Sequence, residues 1–191
     1  DTRKKYASKF RYALYIIIST IPVGITGFLF KDEIENLYSL NGLAIAFLIT
    51  ALSLFIVRNI KGTKSDEDIK LKDAILIGLI QAVTIVPGIS RSGTVLVACL
   101  LCNLKRDTAL KYTFMLYFPV SVGTMILGVS DLLETQELTS MLVPYLLGMI
   151  AAGIVTYFSY RWLSNWVKKG KLWKFSIYCV CLAIFIFIYF R

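Results

Sequence analysis

The sequence predicts an all-α, polytopic integral membrane protein with about five spanning helices and one re-entrant helix pair. Three observations carry that expectation. Hydrophobic residues make up 57% of the chain and charged ones only 17%, with a mean hydropathy of +0.70, whereas soluble domains carry about a quarter charged residues. The apolar residues come in long blocks with no polar face to offer water. Two neighbouring blocks are too short to cross a bilayer and are joined by a Pro-Gly, hydroxyl-rich segment.

Taken in order, the apolar blocks cover residues 12–30, 42–57, 74–87, 94–104, 112–130, 141–163 and 173–190. A spanning helix needs about 20 residues, and about 17 at the least. The first, fifth, sixth and seventh blocks meet that length. The second reaches it by extending through Leu40 and Asn41 and by letting Arg58 snorkel to the interface. Pro22, Gly24 and Gly27 in the first block allow a kink and close helix approach. At 1.5 Å rise per residue the third and fourth blocks reach only about 21 and 16 Å, against a hydrocarbon core of about 30 Å. Residues 74–104 therefore read as a re-entrant helix-turn-helix within a single domain that covers 1–191.

Loop charge gives an independent test. With residues 1–11 inside, the loop 31–41 is outside and carries Asp32, Glu33 and Glu35 against Lys31. The loop 58–73 returns inside with Arg58, Lys61, Lys64, Lys70 and Lys72. A re-entrant pair keeps Lys105, Arg106 and Lys111 inside. Residues 131–140, with Asp131, Glu134 and Glu137, are then outside, and 164–172, with Lys168, Lys169 and Lys171, is inside. Every loop obeys the positive-inside rule, and a single span through 74–104 would invert the later loops. The same clustering explains the net charge of +9 without nucleic acid. Trp162, Trp166 and Trp173 fall near expected interfaces.

Cys99-x-x-Cys102 has metal or redox spacing, but it sits in an apolar run of a chain with no histidine. Small buried apolar residues are the favoured reading. The chain opens on Asp1 and a polar run, which suggests an N-terminal portion outside this sequence.

Chemistry concentrates in Pro87-Gly88-Ile89-Ser90-Arg91-Ser92-Gly93. An arginine near mid-bilayer costs about 2.5–3.5 kcal/mol on insertion scales, so it requires a cavity, a counter-charge or a ligand. Ser90, Ser92 and Thr94 add hydroxyls, and Gly88 and Gly93 let backbone turn and approach a bound group. A helix starting near Ser92 or Gly93 points free N–H groups and a positive dipole end into the turn. Such a set suits a phosphate. Broken backbone at that depth is tolerated only beside protein or a water-filled cavity, which fits an amphiphile with its tail in lipid. An interfacial turn with a snorkelling Arg91 is the plainer alternative, and the Pro-Gly, the paired short helices and the hydroxyls count against it.

This segment, with Gly78-x-x-Gln81-Ala82 before it, resembles the second signature of the undecaprenyl-diphosphate phosphatase, or bacitracin-resistance, family. The resemblance continues through Leu104-Lys105-Arg106-Asp107-x-Ala109 and Tyr112-Thr113-Phe114-Met115-Leu116-x-x-Pro119. Upstream it includes Ile21-Pro22-Val23-Gly24-Ile25-x-Gly27-Phe28-Leu29-Phe30-Lys31-Asp32. The resemblance implies hydrolysis of a polyprenyl diphosphate in the bacterial cell membrane, by an inverted-repeat fold of which this chain is the second half. It also implies a divalent cation, Mg or Ca, held by glutamates of a first signature that would precede residue 1; by itself the chain would then be inactive. A homodimer is compatible with it. The family pattern has threonine four residues after the arginine, where this chain has Val95; Thr94 stands one residue early, a rotation of about 100° on a helix.

The residues expected to carry the reaction are Ser90, Arg91 and Ser92. Gly88, Gly93, Thr94 and Gln81 are expected to bind substrate, and Gln81 and Thr84 to line the cavity unless they only join helices. Arg91 would neutralise the diphosphate, and a serine would attack phosphorus or bond a phosphate oxygen; a serine nucleophile needs a base, and none is visible nearby. A transporter or flippase of a phosphorylated polyprenyl lipid is the main alternative, because transporters also use broken helices. A catalytically dead relative is another.

Overall fold

The computed structural model of the chain describes residues 2–30, 39–134 and 138–189. Seven α-helices are present among them: α1 Thr2–Leu29, α2 Leu40–Val57, α3 Leu71–Val83, α4 Arg91–Leu101, α5 Arg106–Glu134, α6 Leu138–Lys168 and α7 Trp173–Tyr189. A short 3-10 turn covers Asp66–Asp68. No strand occurs among the described residues, and one isolated bridge joins Lys64 to Leu104. The acidic loop residues Asp32, Glu33 and Glu35, together with Lys31 and Glu137, lie outside the described residues.

Three helices, over Tyr6–Leu29, Leu40–Val57 and Val143–Lys168, are long and apolar enough to cross a membrane. The paired helices α3 and α4 have 13 and 11 residues, hence lengths of about 20 and 16 Å. They pack against each other, and α4 also packs against α2 and α5. Val95 to Leu100 are six consecutive buried residues, so α4 is enclosed all round; such burial requires a helix without a polar face. The apolar cluster around it takes in Ile16, Leu54, Ile77, Leu104, Leu110 and Leu116.

Small residues bring the neighbouring helices together. A Cβ on Gly78 would stand 2.7 Å from the Ser19 carbonyl oxygen, so α1 and α3 touch backbone to backbone. Ser19 Oγ donates to the Ala74 carbonyl at 2.7 Å and lies 2.8 Å from Tyr112 Oη of α5. Helix α2 lies along α7, with Ala44 and Ala183 fully buried. Ser176 Oγ closes that pair by donating to Ala51 O at 2.7 Å. These bonds satisfy hydroxyls where no water is at hand.

Three connections and the start of α1 meet at one end of the bundle. Thr63 and Lys64 N–H both donate to Asn103 O at 2.9 Å, and Lys105 N–H donates to Lys64 O at 2.9 Å. Lys64 also pairs with the buried carboxylate of Asp73 at 2.9 Å, and Asp73 caps the start of α3 by accepting from Lys70 N–H at 3.0 Å. Arg11 Nη2 donates to Glu67 O at 2.8 Å. Arg106 donates through Nε to Ile60 O at 3.1 Å and through Nη2 to Arg58 O at 2.8 Å. Its guanidinium lies against Gly170, whose φ is +71°. Helix α3 therefore leaves this rim and α4 returns to it. Helix α6 behaves differently: Val143 through Trp162 are all exposed, and its contacts with the bundle include Tyr160, whose ring meets that of Phe114 edge-on at 4.7 Å, and the buried Val167.

Cys99 and Cys102 are both free and buried. Among the described residues, no group of three or more His, Cys, Asp or Glu side chains stands together as a metal site.

Candidate anion site at the tip of the short helix pair

The connection from α3 to α4 is built by local rules. Thr84 ends α3, with its Oγ1 donating to Gln81 O at 2.6 Å. Residues 84–90 then form a turn in which Ile89 N–H reaches back to Val86 O at 3.2 Å. Gly88 has φ +89°, and a Cβ there would come within 2.8 Å of both Ala46 Cβ and Leu43 Cδ1 of α2. Only glycine meets both conditions. Ser90 has extended backbone and is the N-cap of α4, with Oγ accepting from Gly93 N–H at 3.2 Å. Helix α4 thus begins at Arg91, slightly before the expected start at Ser92 or Gly93.

Arg91 is the first residue of α4 and partly buried. It makes no hydrogen bond or ion pair with any described residue. Arg91 is a cation at the positive end of α4, a placement that is unfavourable until an anion arrives. A crevice too tight to hold a water molecule lies beside it, lined by Gln81, Arg91, Val95, Thr113, Leu116 and Tyr117, so a phosphate would enter only after these side chains part. No carboxylate belongs to that lining. Gln81 is 1% exposed and its Oε1 has no hydrogen-bond partner. A buried orphan of this kind costs about 1–3 kcal/mol. Thr113 Oγ1 donates to Ala109 O at 2.8 Å and so is satisfied within its own helix.

The residues singled out from sequence separate into two groups. Gln81 and Arg91 come together in the crevice. Gly88 and Ser90 face the α2 side, where they shape the turn. Gly93 sits under Ser90 Oγ. Ser92 and Thr94 are partly buried in the first turn of α4, and their hydroxyls have no partner among the described residues. Thr84 has a local role at the end of α3. Val95, one helical turn after Arg91, lines the crevice, so the departure from the family pattern falls inside the site rather than beside it. Thr113 and Tyr117 of α5 were not foreseen, although Tyr112 to Leu116 belong to the matched sequence pattern. Thr50 of α2 was not foreseen either; its Oγ1 accepts the Ser90 N–H at 3.2 Å across 40 positions of sequence. No local sequence signal marks it.

Comparison with known proteins extends the pattern to the whole chain. Residues 1–185 match the family described as bacitracin resistance protein BacA. Undecaprenyl-diphosphatase 1 of Bacillus licheniformis is 46% identical over 189 residues, 97% of this chain and 70% of that protein. Undecaprenyl-diphosphatase 2 of Bacillus thuringiensis is 43% identical, covering 95% of this chain and 68% of the relative. The undecaprenyl-diphosphatase of Oceanobacillus iheyensis is 41% identical over 97% of this chain and 69% of its own length. A family match over residues 1–185 and identity at this level over nearly the whole of this chain lead to one conclusion: the chain belongs to the BacA bacitracin-resistance family.

Proposed function

We propose that this protein hydrolyses undecaprenyl diphosphate to undecaprenyl phosphate and inorganic phosphate, recycling the lipid carrier of cell-wall synthesis and conferring bacitracin resistance. The relatives' names supply the reaction. The observation that carries it on this chain is Arg91, an arginine with no counter-charge among the described residues, at a helix N-terminus beside the buried Gln81 amide.

In the reaction an oxygen nucleophile attacks the terminal phosphorus and the P–O bond to the bridging oxygen breaks. That oxygen stays with the lipid phosphate, and the net addition is one water. Arg91 binds the diphosphate and balances charge as the bridging bond breaks, and the N–H groups of α4 add their partial positive charge. Ser90 Oγ already accepts from Gly93 N–H, so its remaining capacity suits donation to a phosphate oxygen better than attack. Ser92 and Thr94 have hydroxyls free for the same purpose. The Gln81 amide would orient the outer phosphate only by donating from its Nε2, since its oxygen can only accept.

A divalent cation, Mg or Ca, belongs to the proposed activity. The described residues do not fit one, because the crevice carries no carboxylate and no ligand group of three is assembled.

The topology proposed with this function is multi-pass in the bacterial cell membrane, with α1, α2, α5, α6 and α7 crossing and the α3–α4 pair entering and leaving on one side. It is supported by the short length of the pair and by the basic rim to which both its ends return.

The test follows phosphate release from a prenyl diphosphate by the full-length protein in detergent, with and without a chelator, beside Arg91→Ala. Metal-dependent release that collapses in the variant is the expected result. Lipid binding with no release would instead favour a transporter or a catalytically dead relative.

A further inference from the structure

A serine N-cap leaves its own backbone N–H needing a partner. In a capping box that partner is a Glu or Gln side chain at the third helical position. In α4 the third position is Gly93, which has no side chain to offer. A Cβ there would stand 3.0 Å from Ser90 Oγ and 3.6 Å from Thr50 Cγ2, so a larger residue would press on the Ser90 hydroxyl. The Ser90 N–H goes instead to Thr50 Oγ1 on a different helix.

Thr50 is 2% exposed, and its hydroxyl is set apart from others in the bundle. Thr20, Ser53 and Thr113 each donate to the carbonyl four residues back, at 2.9, 2.8 and 2.8 Å. That is the default for a helical hydroxyl in an apolar medium. Thr50 makes no such bond, and its oxygen is turned to the α3–α4 connection. Leu43 and Ala46, on the same face of α2, hold Gly88 two residues earlier.

We propose that Thr50 is a positioning residue for the phosphate reaction: it clamps the Ser90 amide and thereby sets where Arg91 and the first N–H groups of α4 point. The inference rests on the phosphatase reading. Without the Thr50 oxygen, the N-cap amide is left unpaired in a partly buried turn, and the next residue in sequence is the arginine. Displacement by about 1 Å at a reacting centre can cost about 100-fold in rate.

The experiment compares the full-length parent with Thr50→Val, Thr50→Ala and Thr50→Ser. Each is assayed for phosphate release from a prenyl diphosphate, for affinity toward a methylene-bridged, non-hydrolysable prenyl bisphosphonate, and for thermal midpoint. Val and Ala are expected to lose at least about tenfold in kcat/KM and to bind the analogue more weakly, while Ser stays within about threefold of the parent. Rescue by serine at an unchanged midpoint identifies the oxygen, not the bulk, as the cause. Equal behaviour of Ser and Ala in both assays overturns the proposal. If the parent releases no phosphate, the phosphatase reading fails on its own, and the analogue-binding series still decides the role of Thr50. Hydrogen exchange at the Ser90 amide of the parent covers the case in which the variants do not fold. Protection is expected, and exchange as fast as an open loop overturns the clamp.

Discussion

Arg91 and Arg106 begin consecutive helices, and the fold treats them in opposite ways. Arg106 turns back from the head of α5 to the end of α2. There it donates to the carbonyls of Arg58 and Ile60 and lies against Gly170. A cation at carbonyls beyond a helix C-terminus is favourable, so this arginine is spent on holding three connections together. Arg91, at the head of α4, finds no carbonyl and no carboxylate among the described residues. The same side chain is thus a structural tie where carbonyls are within reach, and stays unpaired among the described residues where they are withheld, as the proposed phosphate site requires.

The largest expected effect comes from exchanging the two roles by mutation. Arg91→Ala should lower phosphate release by about 100- to 1,000-fold, as loss of a transition-state donor does, while the thermal midpoint in detergent stays close to the parent's. Arg106→Ala should do the reverse: a loss of roughly 2–4 kcal/mol of stability from two charge-assisted bonds, with the specific activity of folded protein largely kept. A large midpoint drop for Arg91→Ala would break the comparison.

Gly78→Ala comes next and sharpens the structural side. Its Cβ would meet backbone of Ser19 at 2.7 Å, and backbone has no rotamer to move aside. A cost of about 1–3 kcal/mol is expected from the overpacking, read as a lower midpoint. A neutral result would mean that α1 and α3 are not in backbone contact.

Val95→Thr probes the ligand side. Val95 lines the crevice with Arg91 and Gln81, and threonine there restores the family pattern. An isosteric hydroxyl beside an orphaned amide should raise kcat/KM by a few-fold, about 1 kcal/mol of one new hydrogen bond. A fall in activity would show that this crevice must stay apolar at that point.

The smallest effect lies on the rim. Hydrogen bonds from Ser65 hold the Asp68 carboxyl below its ordinary value of 3.8. A lowered folded value means that the stabilisation is present above the ordinary carboxylate range and is lost as pH falls through the folded value. The difference in midpoint between the parent and Ser65→Ala should therefore shrink as pH is lowered from neutral towards 3. Because Asp68 is fully exposed, the difference should be small throughout, and a gap that widened on acidification would contradict the assignment.

Much of the chain was legible before any coordinates. The hydropathy blocks anticipated all seven helices, and the two short ones were recognised by length alone, since a 16 Å helix cannot cross a bilayer whatever surrounds it. The start of α4, expected near Ser92 or Gly93, falls at Arg91 with Ser90 as its cap, because a serine hydroxyl accepts the Gly93 N–H. Loop charge foretold that the connections around residues 58–70, 102–105 and 169–172 would share one end, because the bilayer sorts charge without reference to packing.

The rest belonged to the tertiary structure. Thr50 is an ordinary residue of an apolar helix until α4 is laid beside it. Gln81 is ambiguous until its neighbours turn out to leave its oxygen unpaired, and Val95, marked in sequence only as a departure from the family pattern, gains its place when Thr113 and Tyr117 join it in the crevice lining. Periodicity, caps and charge act through neighbours within a few residues, so the sequence by itself determined the helices, their order and the arginine that heads α4. Which side chains meet across 20 to 40 positions depends on how the helices pack, and packing alone decided what stands around Arg91.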